Sequence, residues 1–180
     1  MKNHLAALLI AISITSYGQA EMSNDTLHWS SNRLLSWDDF KGEPIEDIGL
    51  NGEAFCMNLA NFERPNAFQK TKFKVVAIFD RTKSWIIEEY KSDIGLTYFQ
   101  VMFNIYEVHA RGLRKELTNS KFGSDPTPIF QEKYNNSMTY LMNEFNQFRK
   151  ETKLGRDSKT LMEWKNKVEE ELMALNDFAN

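Results

Sequence analysis

The sequence predicts an α+β fold, with a small antiparallel sheet in the N-terminal half packed against three main helices. Two β-rich runs lie in the first half, at residues 52–62 and 73–79. From Trp85 onward the apolar residues recur at helical spacing instead. Strand-like and helical segments do not alternate, so a parallel α/β sheet is not expected.

The segments follow in order. Leu27-His28-Trp29 and Leu34-Leu35-Ser36-Trp37-Asp38-Asp39-Phe40 flank a turn-like Ser30-Ser31-Asn32. Residues 41–53 hold three glycines and a proline and read as an irregular loop. In residues 52–62, Ala54, Cys56, Asn58 and Ala60 alternate imperfectly with Phe55, Met57, Leu59 and Asn61. Val75, Val76 and Ile78 mark the second strand, and Arg64-Pro65-Asn66 supplies the turn of an antiparallel pair. Residues 96–117 begin apolar on every side, the signature of a buried helix, and end charged. Ser124-Asp125-Pro126-Thr127-Pro128 breaks the chain before a helix at residues 129–150. A last helix at residues 159–178 carries Leu161, Trp164, Val168, Leu172 and Leu175 on one stripe. That stripe packs on its own domain or pairs with a partner helix.

Residues 1–20 read as a signal peptide. Lys2 gives a positive start, residues 5–14 are uncharged and almost wholly apolar, and Gly18 and Ala20 suit a cut after Ala20. The apolar run is about 10 residues where a bilayer span needs roughly 20, so no membrane span is expected after cleavage. Residues 21–180 then form one domain, exported to the periplasm or beyond. The whole chain carries 22 basic and 25 acidic residues, net −3; losing Lys2 with the leader makes it −4. This balance excludes an ordinary nucleic-acid binder, and clusters such as Lys70, Lys72 and Lys74 read as solvated faces. Cys56 is the single cysteine, so no intrachain disulfide forms, and its apolar flanks predict a buried thiol.

Several elements together resemble a bacterial family, domain of unknown function 922, described as secreted zinc-dependent proteases. They are Trp29, then Leu35-Ser36-Trp37-Asp38-Asp39-Phe40-Lys41-Gly42, then Ser84-Trp85, then Ala110-Arg111-Gly112-Leu113-Arg114. The resemblance spans roughly residues 27–172 and implies a zincin-like outline. Its members carry a helix reading His-Glu-Gln-x-His-Phe-Asp-Ile shortly before Ala-Arg-x-Leu-Arg. Here the stretch is Tyr98-Phe99-Gln100-Val101-Met102-Phe103-Asn104-Ile105. Tyr98 and Met102 stand in the places of the two histidines and Phe99 in that of the glutamate. A later family segment, Thr-x-His-Gly and then Gln-x-x-Trp, is similar to Thr152-Lys153-Leu154-Gly155 and Leu161-Met162-Glu163-Trp164. Leu154 thus takes the third histidine's place, and Leu161 the glutamine's.

Two histidines at i and i+4 grip one Zn²⁺ from one helix face, and the glutamate acts as general base on metal-bound water. A phenyl ring has no lone pair, and a thioether suits Cu(I). The expected catalytic, cofactor and metal residues are therefore none, and the old site at Tyr98, Met102 and Leu154 is expected to have become core. His4 lies in the leader, leaving His28 and His109. A relocated metal site would join His109 to Glu107 or Cys56, though no ligand spacing supports it, and a relocated hydrolase site would use His109 and Glu107. Asp38 and Asp39 read as caps or turn partners because adjacent side chains diverge in extended chain. Trp29, Trp37, Trp85 and Trp164 read as core, with sugar stacking the other use for such rings.

The sequence thus points to a non-catalytic, exported relative of that family, binding a protein or peptide ligand or acting as structure. An active hydrolase and a helix-mediated interaction protein are the alternatives.

Overall fold

The computed structural model describes residues 25–45, 49–63 and 70–180. Three strands, β1 (Thr26–His28), β2 (Gly52–Glu63) and β3 (Lys72–Ile86), precede three long helices. These are α1 (Asp93–Asn119), α2 (Thr127–Glu151) and α3 (Ser158–Ala174). The sheet has the order β1-β3-β2 with both pairings antiparallel, so the fold is α+β as the sequence predicts. Residues 1–20 and the turn expected at Arg64-Pro65-Asn66 lie outside the described residues.

The β2–β3 register pairs Cys56 with Phe79, Asn58 with Ala77 and Ala60 with Val75. Directly opposed residues share a sheet face, and this face rests on α1. Asn58 marks the contact, its buried side-chain amide donating to the Tyr106 carbonyl at 2.9 Å. β3 does not stop at residue 79, because side chains carry it past a bulge. Asp80 Oδ1 accepts from the N–H groups of Thr82 and Lys83 at 3.0 and 3.1 Å. The Ser84 hydroxyl donates to the Asp80 carbonyl at 2.6 Å and accepts from Phe55 N at 2.9 Å.

Trp37–Asp39 forms a short 3₁₀ turn whose last carboxylate is fully buried. Asp39 accepts from Ser36 N at 2.9 Å and Arg33 Nη2 at 2.7 Å, with Arg81 Nε at 3.3 Å. Burial works to raise the Asp39 pKa. The Arg33 and Ser36 hydrogen bonds and the two arginine charges outweigh it and hold the carboxyl below its ordinary value. Asp38 is exposed, so the pair divides as expected. Gly42 is demanded by a close approach: a β-carbon there would stand 2.8 Å from the Thr82 carbonyl oxygen.

α1 is the hub, packing on β2, β3, α2 and α3. Residues 101–108 are all buried, in keeping with the all-round apolar pattern. Within that stretch Glu107 accepts from Arg111 Nε at 2.9 Å and from Arg114 Nη2 at 2.6 Å. Arg111 also donates to the Leu172 carbonyl at 2.6 Å, and Arg114 to those of Phe178 at 2.5 Å and Val75 at 2.6 Å. A buried charge is tolerable only when paired and hydrogen-bonded. Here the same bonds tie α1 to the end of α3 and to β3.

The stripe Leu161, Trp164, Val168 and Leu172 on α3 is buried in this domain's own core. Of the two uses the sequence allows, the stripe thus takes the packing on its own domain, with Leu175 half-buried at its end. α3 is also shorter than residues 159–178, ending at Ala174 before a 3₁₀ turn at Asn176–Phe178.

Candidate functional site

α1 begins behind an N-cap, the Ser92 hydroxyl accepting from Gly95 N at 3.1 Å. Tyr98 and Met102, one turn apart, face the same way, with Phe99 beside them. A second wall comes from the turn after α2. Thr152 closes that helix by donating its hydroxyl to the Phe148 carbonyl at 2.7 Å. Lys153, Leu154 and Gly155 then follow with φ of 51°, 59° and 82°. A left-handed conformation costs a non-glycine residue roughly 1–2 kcal/mol. The Leu154 N–H donates to the Arg149 carbonyl at 2.9 Å, and Asp157 N to that of Thr152 at 3.0 Å, holding the turn. Asp157 then caps α3 through Thr160 N at 3.1 Å. The third wall is the stretch from Gly49 to Glu53 that leads into β2.

Between these walls lies a cleft of about 270 Å³. Tyr98, Phe99, Met102 and Leu154 all line it, so two distant stretches of sequence bring the four positions singled out above to one place. Met102, Phe99 and Tyr98 form a floor, only 1%, 5% and 7% exposed, whereas Leu154 on the rim is 38% exposed. The expectation that the site has become core therefore holds for the floor and fails at the rim, where a concavity persists.

Tyr98 is fixed from below. Its ring stacks on Phe148 at 5.0 Å, and Phe148 meets Trp164 edge-on at 5.4 Å. Trp164 Nε1 donates to Glu151 at 2.8 Å. Burial pushes the Tyr98 phenol up to about 12, with smaller effects of Arg149 downward and Glu53 upward. Gln100 points elsewhere, accepting from Leu35 N at 2.7 Å and donating to Asn104 at 2.9 Å. Asn104 in turn accepts from Trp29 Nε1 at 2.8 Å. Trp37 lies edge-on to Phe99 at 6.2 Å, and Trp85 is buried. All four tryptophans belong to the scaffold.

Polar groups missed by sequence reasoning also line the cleft. Glu53 and Arg149 approach at 3.8 Å, each side chain about 30% exposed, and Arg156 is exposed beside them. Burial raises the Glu53 pKa against the pull of Arg149. Glu53 stands at the β-bulge opposite Trp85 and Arg149 near the end of α2. No motif links them, and only the fold brings them together.

The relocated site does not assemble. Glu107 is engaged by Arg111 and Arg114, while His109 Nε2 meets Glu144 Oε2 at 2.7 Å on another side of α1. Glu144 is held at about 2, first by the His109 hydrogen bond, against burial, and then by Lys167. Cys56 is buried and its thiol pushed up by burial, so it is not a ready thiolate. His28 is exposed on β1. Among the described residues no three His, Cys, Asp or Glu side chains group closely enough to hold a metal ion. No helix among them is long and apolar enough to cross a membrane.

Comparison with family models, with curated proteins and with solved structures gives no match.

Proposed function

We propose that the chain is a non-catalytic, exported binding module built on a zinc-protease-like scaffold. One observation supports the reading most. The positions that the resemblance gives to three zinc-binding histidines and a general base converge on one cleft, and they carry a phenol, a thioether, an alkyl chain and a phenyl ring. A phenol at about 12 stays protonated at neutral pH, and Met102 is a soft ligand sealed in the floor. Phe99 can neither take nor give a proton. Such a set fits neither Zn²⁺ nor the activation of water. A cleft with an apolar floor and a few polar groups at its edge is the form of a small binding site. Export is supported by the leader pattern of residues 1–20.

The test is zinc content and proteolysis. Protein purified without chelator is expected to hold well under one zinc per chain and to leave casein intact. One tightly held zinc per chain, removable with loss of hydrolysis, would overturn the reading. For export, mass spectrometry of protein made in a bacterial host is expected to show an N-terminus near Glu21, and an intact Met1 in the membrane fraction would count against it.

A further inference from the structure

We infer that the cleft beside Tyr98 binds a small amphipathic monocarboxylate, its head on Arg149 and Arg156 and its apolar body over Tyr98, Met102 and Leu154. The inference rests on the reading of the chain as a binding module and adds the chemistry of its ligand. Charge decides the sign of the head. Two guanidinium groups, Arg149 and Arg156, and one carboxylate, Glu53, belong to the lining. The first turn of α1, through Ser92 and Gly95, presents the positive end of a 27-residue helix to the same space.

Arg149 has capacity left. Its Nη2 stands 3.8 Å from Glu53 Oε2, longer than a hydrogen bond, its guanidinium leans on the Phe145 ring at 5.5 Å, and one hydrogen bond goes to the Tyr98 side chain, which leaves most of its donors for a ligand. A guanidinium carries five N–H donors in a fork that matches a carboxylate. Glu53 limits what arrives: a dianion would meet its charge twice over, so a single negative charge fits better. Glu53 is itself half-buried with Arg149 at 3.8 Å, and burial raises its pKa against the pull of that arginine.

Size and polarity settle the rest of the ligand. A volume of about 270 Å³ lies at the small end of ligand sites, which run to roughly 1,000 Å³. The floor is aromatic and thioether, and Ile94, Tyr90 and Leu154 are exposed apolar groups at the edge. The body of the ligand is therefore apolar, about the size of one aromatic ring.

Three probes of similar shape and different charge test this on the full chain: phenylacetate, 2-phenylethanol and 2-phenylethylamine, titrated by calorimetry or by NMR shifts. Phenylacetate is expected to bind most tightly. Arg149→Met is expected to weaken it about tenfold, the loss of a charge-assisted hydrogen bond. Glu53→Gln, which removes the competing carboxylate, is expected to tighten it severalfold. Neither change should move 2-phenylethanol by more than about twofold, since no full charge is at stake. Should Arg149→Met fail to fold, Arg156→Gln carries the same test from an exposed side chain. A preference for the amine, indifference of phenylacetate to both arginine changes, or binding of none of the three at millimolar concentration overturns the inference. Zinc measured on the same samples separates the two readings. Stoichiometric catalytic zinc sinks the binding-module reading, whereas an amine preference without zinc sinks only the carboxylate.

Discussion

Gly155 lies directly against the ring of Tyr98: a β-carbon on residue 155 would stand 2.9 Å from Tyr98 Cγ and 3.1 Å from its Cβ. The glycine is also left-handed, at φ 82°. Close approach and backbone conformation therefore make the same demand at the wall of the cleft. Replacing it meets both at once. Gly155→Ala is expected to cost about 1–3 kcal/mol of stability, the range for a residue forced into such a conformation. Urea denaturation of the variant beside the parent reads it, and an unchanged midpoint would show that Tyr98 moves aside freely.

Met102 forms the floor of the same cleft and is 1% exposed. Met102→Ala is expected to cost roughly 2–5 kcal/mol, as for other large-to-small core changes. The combined Tyr98→His, Phe99→Glu and Met102→His variant is expected to be less stable still, because it sets a carboxylate and two imidazoles in an apolar floor. Thermal denaturation with and without zinc checks both. A triple variant that stays folded and melts higher with zinc would show that the floor still tolerates a metal site.

Asp39 is the most deeply buried carboxylate described, and its pairing sets a pH dependence. Its folded pKa lies below the ordinary 3.8, so its contribution is complete above that pH and is lost as pH falls through the lowered value. Asp39→Asn is expected to cost about 1–3 kcal/mol at neutral pH, because it removes the charge that faces Arg33 and Arg81 and turns an NH2 donor toward either those arginines or Ser36 N. The gap from the parent should close in strongly acidic solution. Denaturation midpoints across pH 2–7 measure it, and a constant gap would mean that charge is not what Asp39 supplies.

Glu144 makes the same kind of contribution at the junction of α1, α2 and α3. It meets His109 at 2.7 Å and Lys167 at 2.5 Å. With a folded value of about 2 against an ordinary 4.5, its stabilisation is full above pH 4.5 and lost on the way down to 2. Glu144→Gln is expected to cost about 1–3 kcal/mol at neutral pH, in the range of charged hydrogen bonds. Equal stability of variant and parent at pH 7 would reduce the pair to an idle surface contact.

The elements were legible where a period or a breaker governed them. The run 129–150 anticipates α2 to within two residues because Ser124-Asp125-Pro126 stops the chain and Asp125 then accepts from Thr127 N at 2.9 Å. The β2–β3 pair was legible for the same reason. β1 was not: Thr26-Leu27-His28 is too short to show alternation and is a strand only because β3 offers it an edge. The extension of β3 was hidden too, since Asp80 and Ser84 replace the ladder with side-chain bonds that no alternation reports. At the cleft, the residue types at 98, 99, 102 and 154 could be read one by one. Their convergence with Glu53 and Arg149 depends on three consecutive left-handed residues, and only glycine among them announces that conformation in sequence.

The bonds that Arg111 and Arg114 make to the carbonyls of Leu172 and Phe178 also set an order of events. Until residues 172–178 have been made, Arg111 and Arg114 keep their bonds to Glu107 but each lacks one carbonyl partner, and the face of α1 that α3 covers stands open. A nascent chain halted before that point therefore has no completed core to close upon. The segment that locks α1 in place is thus made after every strand and helix it closes upon.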